Sequence, residues 1–487
     1  MDITISKANG KDAVSLLGLT NDQSKAYDDL IKFINTDFNP NDFKRALSGA
    51  AGTGKTYLLK ALIKNCGMSY HAIGCSAPTH KACRVMSESI RINGVNVNTL
   101  QSDLGLKINF DAEKFDINNP PFDPKGRIKI GEYKLYIIDE ASMIPRGLCI
   151  FLERTCKTNG CKLIYVGDNS QLSPVNEKKS AAFIGIKLYT LKQIVRQEED
   201  NPIKYLLELL RYDIKHKTFS FLNYISKNKV AFDNDNIKGF QVCNEQEFNQ
   251  IVYNNFNDDH ITNNVDFVKI VAYTNNCVSS WNKIVRESII SDADKSVITK
   301  NDLIISYVTL VDKFNDTIIK NSEEYIIKDI VNYTHPKYNI KGFMIRFIAI
   351  HGGQSTTPLF VVDHKDRTSV LQYINISNNL IHNAKVARPI TRSQRWKEYF
   401  EFKESCLLLT NILDNTGKIM FSRDLDYGFA VTSHKSQGST YDTALVDVND
   451  IVYDKFSHPY TDAEEINRRL YVACSRCKNK LYLKFGQ

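Results

Sequence analysis

Eight residues near the N-terminus have the types and spacing of a phosphate-binding loop. Residues 49–56 read Gly-Ala-Ala-Gly-Thr-Gly-Lys-Thr and fit the pattern G-x-x-x-x-G-K-[ST]. In such a loop backbone N–H groups surround the phosphates, a lysine reaches the β- and γ-phosphates, and a hydroxyl binds Mg²⁺. A plain glycine turn is the alternative, since chance gives the pattern in roughly one of a hundred chains of this length. The predicted nucleotide contacts are Gly49, Ala50, Ala51, Gly52, Thr53, Gly54, Lys55 and Thr56.

Two carboxylates follow an apolar run further along the chain. Leu135–Ile138 is continuous apolar sequence, and Asp139 and Glu140 come directly after it. Asp139, with Thr56, is predicted to hold Mg²⁺, and Glu140 to polarise the attacking water. Alone, the pair could be a solvated acidic loop. Together with the phosphate-binding loop, it indicates a P-loop nucleotide hydrolase.

The elements that must position these groups are strands and helices in alternation. Apolar runs at 135–138 and 163–166 predict parallel strands. A short strand at 45–48 is predicted before the loop, and 57–63 predicts the first turns of a helix after it. Residues 268–273 predict a strand of a second sheet. Further strands are predicted at 343–347, 359–362, 444–446 and 480–483. The fold class is therefore α/β.

Two stretches interrupt this alternation. Residues 106–132 contain Pro- and Asn-rich turn signals without a helical pattern, which predicts a small hairpin insertion. Residues 301–415 contain short strands followed by an aromatic helical segment, which predicts a β-rich insertion in a second α/β domain.

Composition restricts the class of protein. The chain has 487 residues, with 63 Lys+Arg against 55 Asp+Glu and a net charge of +8, which permits a nucleic-acid partner without establishing one. No stretch approaches the roughly 18 apolar residues of a membrane span, and the first residues lack the apolar core of a signal peptide. We therefore expect a cytoplasmic protein without a membrane partner. The 11 cysteines are expected to be mostly buried thiols, and the lone Cys474-x-x-Cys477 pair is not expected to bind zinc.

Taken in order, the motifs resemble superfamily 1 helicases. The resemblance is to the 1B branch, which includes the bacteriophage Dda helicase and the RecD-like helicases. Besides residues 49–56 it rests on eight segments: 19–23, 77–82, 98–102, 139–143, 167–175, 195–197, 432–440 and 470–476. Three positions depart from the family pattern: Ala50 stands where Pro is frequent, Cys474 replaces Thr or Leu, and Gln101 replaces a frequent His, which puts its DNA contact in doubt.

The resemblance implies two tandem RecA-like P-loop domains. The first comprises residues 1–186, with a hairpin, or pin, at about 106–132. The second comprises 187–300 and 416–487. Residues 301–415 would form an SH3-like insertion with a helical aromatic segment.

The resemblance also implies roles for single residues. Gln23 would read adenine, Gln171 would sense the γ-phosphate, and Arg196 and Arg476 would act as arginine fingers. Gln437 and Gly438 would contact the nucleotide. The implied nucleic-acid contacts are Pro78, Thr79, His80 and Thr99 in the first domain and Tyr273, Thr274, Asn275, Thr432 and His434 in the second. Phe110, Phe115 and Phe122 are candidates to stack at a duplex junction, or else pack a small core. Thr461 and Glu464 are read as an ordinary capping box.

The expected activity is an ATP-dependent, 5′ to 3′ DNA helicase that uses ATP and Mg²⁺. Its expected partners are single-stranded DNA and duplex junctions, with replication or recombination proteins, and it is expected to be a monomer. Three alternatives stay open: an RNA helicase of the same branch, the motor subunit of a nuclease or recombination complex, and a non-catalytic DNA-binding subunit.

Overall fold

The computed structural model divides into two compact units. The first comprises Met1–Gln241, Ser436–Thr440 and Val452–Leu481, and the second comprises Val242–Lys435, Tyr441–Ile451 and Tyr482–Gln487. The structure describes residues 18–107, 115–118, 120–123, 126–175, 177–193, 201–258, 264, 266–290, 293, 295–312, 316–350 and 353–486.

Helices and strands alternate through the first part of the chain. The elements are α1 (Asn21–Asn35), β1 (Lys44–Gly49), α2 (Lys55–Asn65), β2 (Ile73–Ala77), α3 (His80–Ile90), β3 (Asn96–Thr99), α4 (Leu100–Asp103), β4 (Leu135–Ile138), α5 (Arg146–Thr158), β5 (Lys162–Gly167), β6 (Lys187–Leu191), α6 (Pro202–His216), α7 (Ser220–Lys227) and β7 (Val230–Phe232).

The rest of the chain is richer in strands. Its elements are β8 (Gly239–Cys243), α8 (Glu245–Phe256), β9 (Val268–Ala272), α9 (Asn275–Ile289), β10 (Leu303–Ser306), β11 (Leu310–Val311), β12 (Thr317–Ile319), β13 (Glu324–Thr334), β14 (Lys341–Ala349), β15 (Leu359–Val362), α10 (Arg367–Val386), α11 (Pro389–Ser405), β16 (Ile412–Leu413), β17 (Ile419–Phe421), β18 (Leu425–Tyr427), β19 (Ala430–Thr432), β20 (Tyr441–Asp447), α12 (Val448–Val452), α13 (Ala463–Ser475) and β21 (Cys477–Lys484).

A parallel sheet organises the first unit. Its strand order is β3-β2-β4-β5-β1-β6, and each neighbouring pair is parallel. The strands are buried on both faces, so they read as continuous apolar runs. Leu47, Ile137 and Ile164 pack on one face with the apolar residues of α1 and α2. Tyr136 and Leu163 pack on the other face with α5. The carboxyl ends of all six strands therefore lie along one edge of this sheet.

The second unit contains a parallel core and an antiparallel sheet. β9 pairs in parallel with both β19 and β20, and Phe248 of α8 and Trp281 of α9 pack beside it with ring centroids 5.4 Å apart. The antiparallel sheet has the order β15-β14-β13-β10-β18. β15 leads into the two helices α10 and α11. The insertion predicted at 301–415 is thus β-rich and helical, although its sheet also takes in β18, which lies beyond residue 415.

These observations confirm the predicted α/β fold class, and the predicted strands all lie within observed strands, except that residue 273 follows the end of β9. In the predicted hairpin, Leu106 and Phe122 form an antiparallel bridge, while residues 108–114 lie outside the described part. The predicted domain boundaries stay predictions. Among the residues that the structure describes, no helix has the length and apolar character needed to cross a membrane.

One prediction at a helix start is wrong. The N-cap of α13 is Asp462, whose carboxylate accepts a hydrogen bond from the Glu465 backbone N–H at 3.0 Å. The predicted box of Thr461 and Glu464 is displaced by one residue. Asp caps a helix at least as well as Thr, and here it stands one position later, where the helix begins.

A buried ion pair joins the two sheets of the second unit. Lys269 lies inside β9 and Glu324 begins β13, and their side chains are 0% and 3% exposed. The Lys269 Nζ donates to Glu324 Oε1 at 2.5 Å and to the Gly428 carbonyl at 2.6 Å. A charge at this depth is tolerated only when it is paired.

We therefore expect Lys269→Met to lower the free energy of unfolding by about 3–5 kcal/mol, because it removes the buried ammonium that pairs with the Glu324 carboxylate. The double variant Lys269→Met/Glu324→Leu should recover most of that loss. Denaturant unfolding of the three proteins measures the difference. Equal losses in the single and double variants would show that the charges do not matter at this position.

Candidate functional site

The phosphate-binding loop lies between β1 and α2. Gly52 and Gly54 have positive φ values of 81° and 75°, which glycine adopts readily, and Gly54 precedes the first turn of α2. The Lys55 Nζ donates to the Gly49 carbonyl at 2.6 Å and to the Ala50 carbonyl at 3.1 Å. The ammonium is thus held against the loop, at the helix end that favours negative charge.

Gln23 lies against the same loop. It is 1% exposed, and its Nε2 donates to the Thr53 carbonyl at 2.8 Å. A capping box fixes this side chain: the Thr20 N–H donates to Gln23 Oε1 at 3.0 Å, and the Gln23 N–H donates to Thr20 Oγ1 at 3.3 Å. The structure therefore brings Gln23 to the phosphate-binding loop, while its contact with adenine stays a prediction.

Asp139 and Glu140 follow β4 at the carboxyl edge of the first sheet. Glu140 has a φ of 50°, which is a left-handed backbone conformation. This conformation is energetically unfavourable for residues other than glycine, and such residues cluster at functional sites. Burial raises the pKa of Asp139, and the charge of Lys55 opposes that rise. The pKa of Glu140 is raised to about 6, first by burial and then by Asp139, against the charges of Arg476 and Lys55.

This site fits a small divalent cation. Glu140 Oε2 is buried and has no hydrogen-bond partner among the described residues, although buried oxygens are normally paired. The Asp139 carboxylate and the hydroxyl of Thr56 in the first turn of α2 are hard oxygen ligands of the kind that Mg²⁺ prefers.

The loop that follows β5 is bound to α13. Asp168 is 3% exposed and accepts a hydrogen bond from the Tyr471 hydroxyl at 2.6 Å. The Arg468 Nη1 donates to the carbonyls of Asn169 at 2.7 Å and Gln171 at 2.8 Å. We did not predict roles for Arg468 and Tyr471. Their spacing of three residues, which puts them on one face of a helix, is the signal that could have found them.

Gln171 and Gln437 meet inside the first unit. They are 6% and 7% exposed, and the Gln437 Nε2 lies 3.4 Å from both Gln171 Oε1 and the Leu172 carbonyl. Gly438, next in the chain, has a φ of 73°. Both residues were predicted to act at the nucleotide site. They are 266 positions apart in the chain and in contact in the structure, as a shared site requires.

Arg476 is buried at the end of α13. It is 5% exposed, and its guanidinium donates to the carbonyls of Val472 at 3.1 Å and Ser439 at 3.2 Å. Its charge is also close enough to Glu140 to lower the pKa of that carboxyl. The other predicted arginine finger, Arg196, lies outside the described residues.

The predicted nucleic-acid residues of the first unit lie at the carboxyl ends of β2 and β3. Ala77 pairs with Thr99 in the sheet, so the two strands end side by side. Pro78 and Thr79 come after β2, and Thr79 caps α3, which His80 begins, by accepting from the Ala82 N–H at 3.2 Å. Thr99 caps α4 in the same way. Gln101 donates to the Pro78 carbonyl at 3.3 Å, and its Oε1 is buried without a partner among the described residues.

The predicted nucleic-acid residues of the second unit lie at the carboxyl ends of β9 and β19. Ala272 pairs with Thr432, so these parallel strands also end together, before Tyr273 and before His434. Thr274 caps α9, which Asn275 begins, and donates to Asp450 Oδ1 at 2.7 Å. Asp450 Oδ2 accepts from the N–H groups of Tyr273 and Thr274 at 2.7 and 2.8 Å. We did not predict Asp450, which holds this turn from 176 residues away.

Two of the three candidate stacking rings pack within the first unit. Phe115 and Phe122 lie 5.6 and 5.8 Å from the ring of Phe151 on α5. For these two the packing alternative describes the structure, although Phe122 is still 40% exposed. Phe110 lies outside the described residues.

Comparison with known proteins agrees with this geometry. Residues 21–227 match the sequence model of the AAA domain family. The chain is 24% identical to the uncharacterized protein R530 of Acanthamoeba polyphaga mimivirus, over 93% of this chain and 97% of that protein. It is 23% identical to the ATP-dependent DNA helicase dda of Enterobacteria phage T4, over 94% and 97%. A shorter stretch, 32% of this chain and 20% of the relative, is 30% identical to the ATP-dependent RecD2 DNA helicase of Deinococcus radiodurans.

The charges around Glu140 predict a pH dependence. If Glu140 must be ionised, kcat/KM for ATP should fall about tenfold per pH unit below about 6, because the free enzyme then carries the neutral acid. Arg476→Gln removes a positive charge that lowers the pKa of Glu140. The fall in kcat/KM at acid pH should therefore begin at a higher pH in this variant. Arg468→Gln is the matched control, since Arg468 is not among the largest influences on the pKa of Glu140. If kcat/KM falls at the same pH in both variants, the fall cannot be assigned to ionisation of Glu140.

Proposed function

We propose that this chain, a helicase-type ATP hydrolase that resembles the superfamily 1B helicases, moves along single-stranded DNA and separates duplex ahead of it. The resemblance and the enzyme class predicted from the sequence are confirmed by the AAA domain match and the similarity to the dda helicase along nearly the whole chain. The proposal goes further in naming single-stranded DNA as the track, 5′ to 3′ as the direction, and a monomer in the cytoplasm as the working form.

The observation that carries the proposal is the contact between α13 and the loop after β5, which lies at the carboxyl edge of the first sheet. Gln171 touches Gln437, and the loop after β5 is bound to Arg468 and Tyr471. We expect a change at the γ-phosphate that moves this loop to move α13 as well, because these hydrogen bonds join them. Such a linkage converts ATP hydrolysis into motion, which a motor needs and a simple hydrolase does not.

In the hydrolysis step, residues of this chain neutralise the charge on the phosphates and position the attacking water. Negative charge spreads over the γ-phosphate oxygens, and Lys55 and Arg476 supply cations for it. Glu140 orients the attacking water and accepts its proton. Thr56 and Asp139 would hold Mg²⁺, which when bound neutralises phosphate charge. Gln23 would contact adenine, and Arg196 is proposed as a second arginine finger.

The proposed DNA contacts in each unit are the short polar groups at its strand ends. Thr79, His80 and Thr99 lie at the ends of β2 and β3, and Thr274 and Thr432 lie at the ends of β9 and β19. Hydroxyls and helix N-termini suit phosphate contacts, which fix position without reading sequence. RNA offers the same phosphates, so an RNA helicase is the second candidate, as is the motor of a nuclease or recombination complex. A non-catalytic subunit fits poorly, because Lys55, Asp139, Glu140 and Arg476 are all present.

Two substitutions test the ATP site. Lys55→Ala should weaken ATP use because it removes a cation from the phosphates, and Glu140→Gln should bind ATP without hydrolysing it. Losses of about 10³-fold or more in turnover are expected. Steady-state ATPase assays with and without oligo(dT), together with nucleotide binding, separate the two effects. Full turnover by Glu140→Gln, with no stimulation of the wild type by oligo(dT), would refute a DNA-driven motor.

Direction is tested by strand displacement on partial duplexes that carry a single-stranded tail at either the 5′ or the 3′ end. With ATP, we expect separation only of the substrate with the 5′ tail. The same tails made of RNA address the second candidate. Separation from the 3′ tail alone would reverse the proposed direction, and equal separation from both would rule out a directed track.

A further inference from the structure

The two longest helices of the second unit form a hairpin whose turn is strongly basic. α10 has 20 residues and α11 has 17, so they extend about 30 and 25 Å. Tyr373 of α10 and Phe402 of α11 are fully buried at the base, with ring centroids 5.0 Å apart. Only Ala387 and Arg388 connect the helices, so the turn lies at the end of a well-anchored projection.

The turn and its flanks contain cations and no acids. Residues 367–397 include six Lys or Arg and not one Asp or Glu, although acids make up 55 of the 487 residues. The cations are Arg367, Lys385, Arg388, Arg392, Arg395 and Lys397. A solvated helix surface normally mixes both signs, since i,i+4 pairs of opposite charge stabilise it. A stretch that excludes acids so completely is suited to a polyanion.

The cations nearest the turn are exposed and unpaired. Arg395 and Lys397 are paired with Glu398 and Glu401 further down α11. Lys385, Arg388 and Arg392 are exposed, and none of them has a carboxylate partner within the described part of the chain. We name these three residues the basic tip. Their charges are not offset within the protein, so they are available to a ligand.

We propose that the basic tip binds the sugar-phosphate backbone of duplex DNA. This inference rests on the proposed function and adds a second DNA contact outside the single-strand track. Guanidinium groups match phosphate oxygens in geometry, and a narrow two-helix end can approach the backbone of a duplex. Among the described residues, the large apolar side chains exposed at the tip are Val386 and Ile390, at 66% and 95% exposure, which is too little apolar surface for a protein partner to bury.

The contact gives the protein a hold on the duplex without base recognition. Phosphate contacts carry no sequence information, so binding should be insensitive to sequence and strongly dependent on salt. Each contact with duplex phosphate contributes about 0.9 to the slope of log Kd against log salt concentration.

The test compares two triple variants of the full chain. Lys385→Gln/Arg388→Gln/Arg392→Gln removes the basic tip, and Lys25→Gln/Lys157→Gln/Lys227→Gln removes three exposed cations from α1, α5 and α7. Both change the net charge by the same amount. Binding of a blunt duplex DNA and of oligo(dT) is measured over a range of salt concentrations, with oligo(dT)-stimulated ATPase activity as the check of folding.

We expect the tip variant to bind the duplex about tenfold or more weakly, with a salt slope lower by roughly two to three. Its binding of oligo(dT) and its ATPase activity should equal those of the wild type, and the control should match the wild type on both DNAs. The variant Arg388→Lys/Arg392→Lys should keep the wild-type salt slope.

Unchanged duplex affinity and slope in the tip variant would overturn the proposal. So would a tip variant that loses binding of a poly-glutamate peptide while keeping the duplex, which would indicate an acidic protein partner. Failure of oligo(dT) to stimulate the wild-type ATPase would instead contradict the proposed function, and duplex binding by the tip can be measured independently of it.

Discussion

The carboxyl ends of parallel strands must lie along one edge of their sheet, and the candidate site depends on this constraint. In the first unit the order along the edge is set by the strand order. Thr99 ends β3, Thr79 lies two residues after β2, Asp139 follows β4, Asp168 follows β5, and the phosphate-binding loop begins at the end of β1. Groups proposed for DNA thus occupy one end of the edge and groups for the nucleotide occupy the other, with the carboxylates between them.

Burial of charge is what the site must then manage. Asp139 and Glu140 are two acids in sequence, and burial raises the pKa of both. Lys55 opposes both shifts, and Arg476 opposes that of Glu140. Arg476 is itself held by main-chain carbonyls, so its charge is fixed in place without an ion-paired carboxylate among the described residues. The protonation of Glu140 therefore depends on the charges of Arg476 and Lys55.

Much of the fold and the nucleotide loop could be predicted from sequence, because each depends on neighbours in the chain. Apolar runs such as Leu135–Ile138 indicate buried strands, and the loop pattern is contiguous. The contacts of Asp450, Arg468 and Tyr471 could not be predicted from the sequence, since their partners are 176 to 303 residues away in the chain. The cap of α13 was misplaced because Thr461 and Asp462 each precede a glutamate by three residues, and only the path of the backbone decides between them.

The capping threonines carry a consequence for how this protein can evolve. Thr79 and Thr274 each begin a helix and each lie where the DNA backbone is proposed to pass. Asp and Asn are as good as Ser at an N-cap, so stability alone would allow them in place of Thr79. In place of Thr274, Asp is already disfavoured by the Asp450 carboxylate, which accepts a hydrogen bond from the threonine hydroxyl at 2.7 Å. A carboxylate would repel a phosphate at the same place, while alanine would remove about 1 kcal/mol of cap. Two separate selective pressures thus leave a narrow set of neutral, hydrogen-bonding side chains, and drift at these positions should be confined to it.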